Sequence, residues 1–514
     1  MLEEVTIHSE TSAPIYVMQA DKVFVTLAEG TNNTLSNGGS FQAIDDNDID
    51  GVIFSKEDLT LNGKGSLQVT SPAGHGIISK DDLVITSGAY TIDCASHGLD
   101  ANDSIRLINA AFAITSGKDG IHAENNEDDE AGYVYIESGT YHIDAAGDGI
   151  SAGAYLQVEN GSFDILAGDG SANATKEHAE DWGMFGGGKD GRGQGGKRPE
   201  WDTGRNPDEN MGQGGMQPGQ DGMEFGRGMN PGDMSFDPNM ATGDALTQEE
   251  DSTSRKGMKA AGNLQVKGGS FVINSADDAV HANGSVTIQG GDFEIATGDD
   301  AFHADEALSI NAGNINITES YEGLEGLHIE VNGGDIKLAA GDDGINAAGG
   351  MDQSGMGGHG GNDKFGGPFS GSSNGSVRIT GGNLYVNASG DGIDVNGYLE
   401  ITGGTTIVCG PTRGDTAVLD YDSKATITGG TFIGTGATQM AQTFSDSGQG
   451  VIAVNANGQA AGSTISLTDK SGNIILSHAP QLDFSLIILS SPDMVRGETY
   501  TMTIGDASED FEAD

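Results

Sequence analysis

Basic residues are scarce in this chain. Its 514 residues carry 24 Lys and Arg against 77 Asp and Glu, a formal net charge of −53. Nucleic-acid binders need a basic face, so nucleic acid is not an expected partner, and anionic membrane surfaces are excluded on the same ground. No run of about 18 apolar residues occurs, so no helical membrane insertion is expected. Aromatics are few, 6%, with only two Trp, which limits sugar binding by ring stacking. Proline is sparse (11) and glycine abundant (84), the balance expected of a chain with many tight corners. No apolar secretory leader follows "MLEEVTIHSE", so an extracellular protein of this sequence reads as a trimmed form.

What the chain has is repetition. One motif reads Asp-Gly-apolar-polar-Ala, as in "KDGIHA" ending at Ala123, "DDAVHA" ending at Ala282 and "DDAFHA" ending at Ala304. The other is a pair of short alternating segments broken by small residues, as in "LQVKGGSFVI" from Leu264 and "VTIQGGDFEI" from Val286. Asp278, Asp300, Glu322 and Asp343 recur at intervals of 22, 22 and 21 residues. That period is too short for most helical repeats, and the alternation has period two. The spacing predicts an all-β parallel β-helix of about 12–13 coils of roughly 22 residues, each stable only when stacked on its neighbours. The expected organisation is an N-terminal strand or cap over 1–40 and the β-helix over 41–447. A small C-terminal β domain follows over 448–514. Gly/Met-rich inserts at 175–253 and 349–374 read as disordered, with Trp182, Trp201 and Phe365 as possible ligand contacts. Cys94 and Cys409 fall about nine coils apart. At about 4.8 Å per coil this far exceeds the disulfide limit, so two free thiols are predicted.

Stacking turns repeats into columns. One column reads Asp50, His75, His97, Asp119, Asp148, Asp169, Lys256, Asp278, Asp300, Glu322, Asp343, Asp391 and Asp415, with Asp277, Asp299 and Asp342 one residue earlier. Carboxylates about 4.8 Å apart repel by roughly 1 kcal/mol per pair even in water, and more when desolvated. Such a ladder needs a compensating partner. Ca2+ suits it, because one ion bridging two oxygens spans about 4.6–5.2 Å. The expected metal residues are Asp277, Asp278, Asp299, Asp300, Glu322, Asp342, Asp343, Asp119, Asp148 and Asp391. A second polar column lies three residues further on, and its polarity predicts a solvent-facing groove. Lys259, His281, His303 and Glu325 in it, with Lys256 from the first column, are the candidate carbohydrate contacts. Lys256, Lys259 and Arg413 are the basic residues near acidic turns, and in-register acids would spoil the first two as catalytic bases.

The stretches "SRKGMKA", "SADDAVHANGSVTIQGGDFEIATGDDAFHADEALSI", "SYEGLEG" and "ASGDGIDVNGYLEITGG" resemble the secreted bacterial carbohydrate-binding β-helix proteins similar to pectate lyases. The resemblance implies a right-handed helix, bound calcium at the acidic turns, and affinity for plant cell-wall polysaccharides such as cellulose and pectin-type acidic sugars. An extracellular binding protein, expected to be a monomer, is the preferred reading over a calcium-dependent pectate lyase or a surface adhesin.

Overall fold

The computed structural model describes residues 1–43, 47–126, 131–174, 254–347, 374–412 and 416–514. The first Gly/Met-rich insert, with Trp182 and Trp201, lies outside the described residues. So do all but Asn374 of the second insert, with Phe365, and the turn residues Arg413 and Asp415.

The described chain is all-β, with one short 3-10 turn at Ser171–Asn173. Two large parallel sheets of 16 and 25 strands dominate it, in a β-helix-like arrangement. A typical coil shows how. Val280–Ala282 and Val286–Ile288 enter the larger sheet, and Asp292–Thr297 enters the other. The motif read as a turn is therefore partly a strand. Its last three residues are buried and pair on both sides, as Met258, Val280 and Phe302 do. Between neighbouring coils the register offset is often 22 residues, as in Leu99↔Ile121 and Phe271↔Phe293, and shortens to 21 at Leu324↔Ile345.

Alternation sets which side chains go inward. In Ser270–Ser275 the burial pattern is strictly exposed-buried, with Phe271 and Ile273 inside and Val272 outside. Stacked at one register, the inward aromatics form a column: Tyr90, Phe112, Tyr141, Phe163, Phe271 and Phe293. Their ring centroids are 4.5–5.4 Å apart and their planes within 17° of parallel. Phe163 pairs directly with Phe271, so the intervening insert leaves the register intact. The corner before this strand needs glycine. Gly269 has φ +122, and a Cβ there would meet the Gly161 carbonyl oxygen at 2.9 Å.

The N-terminal boundary differs from expectation. Residues 1–40 are not a separate cap. Thr6–Ser9 pairs with Asn32–Asn37, and Ile15–Val17 and Val23–Leu27 pair with the next coil, so they are coil residues themselves. Their strands lacked the repeat motif and so escaped the pattern. At the other end the tail is joined to the coil. Phe484–Ser490 pairs antiparallel with Thr431–Gly436, the last parallel strand of its sheet, and so covers an edge that would otherwise template aggregation. The rest of the tail builds a four-stranded antiparallel sheet over its own apolar cluster, which includes Leu467, Phe484 and Met502. Cys94 and Cys409 are both free and buried, as predicted.

The aromatic column generates a stability prediction. Phe163→Ala should destabilise the protein by about 3–5 kcal/mol in chemical denaturation, the usual cost of emptying a packed aromatic site. Val272→Thr, on the outer face of a neighbouring strand, should change it by less than about 0.5 kcal/mol.

Candidate functional site

The polar columns sit at the start of the first short strand of each coil. Strand pairing aligns Asp100, His122, Ser151, Lys259, His281, His303, Glu325, Asn346 and Asp394 one above another, as the repeat predicts. Three residues earlier, the same register stacks His75, His97, Asp119, Asp148, Lys256, Asp278, Asp300, Glu322, Asp343 and Asp391. Two expected members fall out of line. Asp50 is one residue off, because Gly51 is the partner of His75. Asp169 leaves the stack in a left-handed turn, φ +62, while Lys256 stacks directly on Asp148.

The carboxylates have a structural duty that spacing alone did not reveal. The aspartates in register reach to the next coil and accept a backbone N–H there. Asp119 accepts from Asp148 at 2.8 Å, Asp148 from Lys256 at 2.7 Å, Asp278 from Asp300 at 3.1 Å and Asp343 from Asp391 at 2.6 Å. Asp391 accepts the N–H of Ala417 in the same way. The turn leaves this amide without a ladder partner, and an acid one coil below supplies it.

Neutralisation differs along the column. In the first coils it comes from imidazoles. His75, His97 and His122 stack with centroids 5.1 and 4.3 Å apart. His122 Nδ1 lies 2.9 Å from Asp100 Oδ1, and His97 Nδ1 lies 3.4 Å from Asp119 Oδ2. Burial works against the charged forms, yet the hydrogen bond between them holds Asp100 below and His122 above their usual ranges.

The middle coils hold a closed cluster. Lys256 is fully buried, with Nζ 2.5 Å from Asp278 Oδ2 and 3.3 Å from Asp277 Oδ1. His281 Nδ1 is 2.8 Å from the same Asp278 oxygen. Burial would push Asp278 up, but the Lys256 ammonium and the His281 bond hold it well below the carboxylate range. Asp300 is pushed well above, first by burial and then by Glu325, Asp278 and Asp299. His303 contacts Asp300, Asp305 and Glu325, and these bonds outweigh burial and push the ring well above the usual imidazole range. Asp277, Asp278 and Asp299 do bring ligand atoms within 4.8 Å of one another, but the Lys256 ammonium already stands against two of them.

This corrects one expectation. Lys256, His281 and His303 are at most 1% exposed, so they offer no atom to a polymer outside. At His281 and His303 the second column is polar because the rings are paired internally with Asp278, Asp300, Asp305 and Glu325, not because they line a groove. Lys259 and Glu325 are partly accessible, Lys259 Nζ lying 3.5 Å from Asp148 and Glu325 against His303.

The later coils contain acids alone. Asp343, Asp391 and Asp394 bring ligand oxygens within 4.8 Å of one another. Among the described residues no Lys, Arg or His pairs with them. Burial, reinforced by neighbouring carboxylates, pushes Asp343 up to about 8, Asp391 to about 7 and Asp394 to about 6. Glu322, one coil below Asp343, is raised for the same reasons, and its Oε2 is buried with no hydrogen-bond partner. Asp342, next to Asp343, adds its own charge there. An all-oxygen set that resists ionising, beside an orphaned carboxylate oxygen, fits a hard divalent cation such as Ca2+. Asp394 was not among the expected ligands. The signal for it was present, three residues after Asp391 in the second column.

The buried pair can be tested directly. Lys256→Met should lower stability by about 3–5 kcal/mol, because it strands Asp278 without its cation. Adding Asp278→Asn should recover part of that loss, read as a nonzero coupling in a double-mutant cycle.

A family model described as carbohydrate-binding domain-containing protein matches residues 1–301. A carbohydrate-binding domain-containing protein of Acetivibrio thermocellus is 37% identical over 94 residues, 18% of this chain and 33% of that relative. The chain thus spans about a third of the length of the curated relative it matches. A solved polysaccharide lyase-like protein from C. thermocellum, in its gadolinium derivative, is 36% identical over 32% of this chain and 68% of its own, with a TM-score of 0.32. With the family model covering more than half of its residues, the chain belongs to the carbohydrate-binding domain-containing proteins.

Proposed function

We propose that this protein is an extracellular, calcium-dependent polysaccharide-binding protein for plant cell-wall polymers, both cellulose and acidic pectin-type chains such as polygalacturonate. We read its coils as a right-handed parallel β-helix, the hand that right-twisted strands favour, acting as a monomer. Membership of a carbohydrate-binding family supports the polymer. The observation that carries the calcium is the triad Asp343, Asp391 and Asp394, three converging carboxylates that no basic side chain neutralises among the described residues.

When bound, Ca2+ would cancel the mutual repulsion of these acids and leave coordination positions for sugar oxygens. Asp343, Asp391 and Asp394 would hold it, with Glu322 and Asp342 adding negative charge from beside Asp343. A chain of charge −53 repels polyuronates, so a shared cation is the natural bridge between protein and sugar carboxylates. A binder is favoured over a lyase by the fate of the basic residues. Lys256 is buried against Asp278, and Lys259 is paired with Asp148, so neither is placed to abstract a proton from substrate.

Calcium should raise the melting temperature of the chelator-treated protein by several degrees, through binding to the folded state alone. Asp391→Asn should abolish most of that rise. Retention on polygalacturonate should fall at least tenfold in chelator, without release of an ultraviolet-absorbing unsaturated product. Melting that ignores calcium, or retention that ignores chelator, would overturn calcium dependence. Product release would favour the lyase.

A further inference from the structure

The outer face of the 16-stranded sheet carries a cleft unrelated to the acid column. Two adjoining cavities of about 360 and 350 Å3 share Lys337 and Tyr385 in their walls. Their floor crosses four neighbouring strands, Asn314–Glu319, Asp335–Ala340, Asn383–Ala388 and Thr405–Cys409. Three strand spacings make it roughly 14 Å long, the length of a short oligosaccharide. Along the centre, Asn316, Lys337 and Tyr385 stand in register on successive strands, all pointing outward from alternating positions. The tail forms one wall. Gln481 lines the second cavity, and the His478 ring centroid lies 6.3 Å from that of Tyr385.

The chemistry of this cleft differs from the rest of the surface. Its lining mixes amides and aliphatic side chains with one aromatic ring, one ammonium and the Asp335 carboxylate. Asn316 donates both amide contacts to Glu294, at 2.8 and 2.9 Å, which leaves its carbonyl oxygen as an acceptor. Asn383 donates to Asp335 at 2.5 Å, so the nearest carboxylate on the Lys337 strand is already engaged. Asn387 and Gln481 add further amides. Lys337 is exposed and has no carboxylate within 4.0 Å among the described residues. Its register neighbours, Asn316 and Tyr385, are neutral. In a chain of charge −53, an ammonium with no carboxylate partner among the described residues, beside amides and a phenol ring and with the one lining carboxylate, Asp335, held by Asn383, is a place where an anion is not repelled at contact.

We propose that this cleft is a calcium-independent subsite for an acidic oligosaccharide. Lys337 takes a uronate carboxylate, Tyr385 supports a pyranose ring, and Asn316, Asn383, Asn387 and Gln481 meet the hydroxyls. The proposal rests on the carbohydrate-binding reading above, and it deepens it by separating a direct contact from the calcium-bridged one.

The test uses the full chain in chelator, so that the acid triad cannot contribute. Calorimetric titration with a defined oligogalacturonate should show weak but saturable binding. Lys337→Gln should weaken it at least tenfold with unchanged melting, while binding of the fully methyl-esterified oligomer should be the same in both proteins. Tyr385→Ala should weaken both ligands. Equal oligogalacturonate affinity in wild type and Lys337→Gln would overturn the subsite. So would binding that appears only when calcium is restored, because the acid triad would then account for it. If neither oligomer nor any cell-wall polymer binds the calcium-loaded wild type, the carbohydrate reading itself fails, and the subsite with it.

Discussion

Backbone pairing at a constant register places every side chain about 4.8 Å from its counterpart in the next coil. That constraint makes the interior possible. Phenyl and phenol rings stack at 4.5–5.4 Å because the strand spacing and the ring thickness are compatible. The same constraint is a liability for charge. A coil that places an acid at a turn forces the next coil's acid against it, and burial magnifies the repulsion.

The chain meets that liability in three ways along one column. At the start, acids alternate with stacked imidazoles, so that His97 faces Asp119 and His122 faces Asp100. In the middle, a buried Lys256 replaces an acid and draws Asp277 and Asp278 to itself, while His281 and His303 balance the neighbouring coils. Towards the end, neither device is used, and Glu322, Asp343, Asp391 and Asp394 are left to resist ionisation. On the proposed reading a metal would be needed chiefly in the last of these stretches, where no basic side chain among the described residues balances the acids. The backbone N–H groups that the acids accept explain why a carboxylate persists in the column even where it costs electrostatic energy. An amide left without a partner in that buried turn would cost about 1–3 kcal/mol.

Much of this was legible from residues alone. The 22-residue interval between Asp278 and Asp300 announced the stacking, and the alternation in "SFVINS" announced which face of that strand is buried. The second column, from Asp100 to Asp394, could be written down before any register was seen. Orientation was not legible. Polarity at His281 and His303 suggested solvent, but a polar side chain with a charged partner one coil away is equally at home inside. Nor could repeats show that residues 1–40 coil too, because pairing there is held by strands such as Val23–Leu27 that lack the acidic turn. The Lys337 cleft was invisible for another reason. Asn316, Lys337 and Tyr385 are unremarkable singly, and 21 and then 48 residues separate them along the chain.

Anomalous diffraction from crystals grown in calcium examines the charge account most directly. The account predicts an ion among Asp343, Asp391 and Asp394, with the Lys256 ammonium still against Asp278 and no ion beside it. An ion coordinated by Asp277, Asp278 and Asp299 with Lys256 displaced, or saturating calcium that leaves the later triad empty, would contradict it.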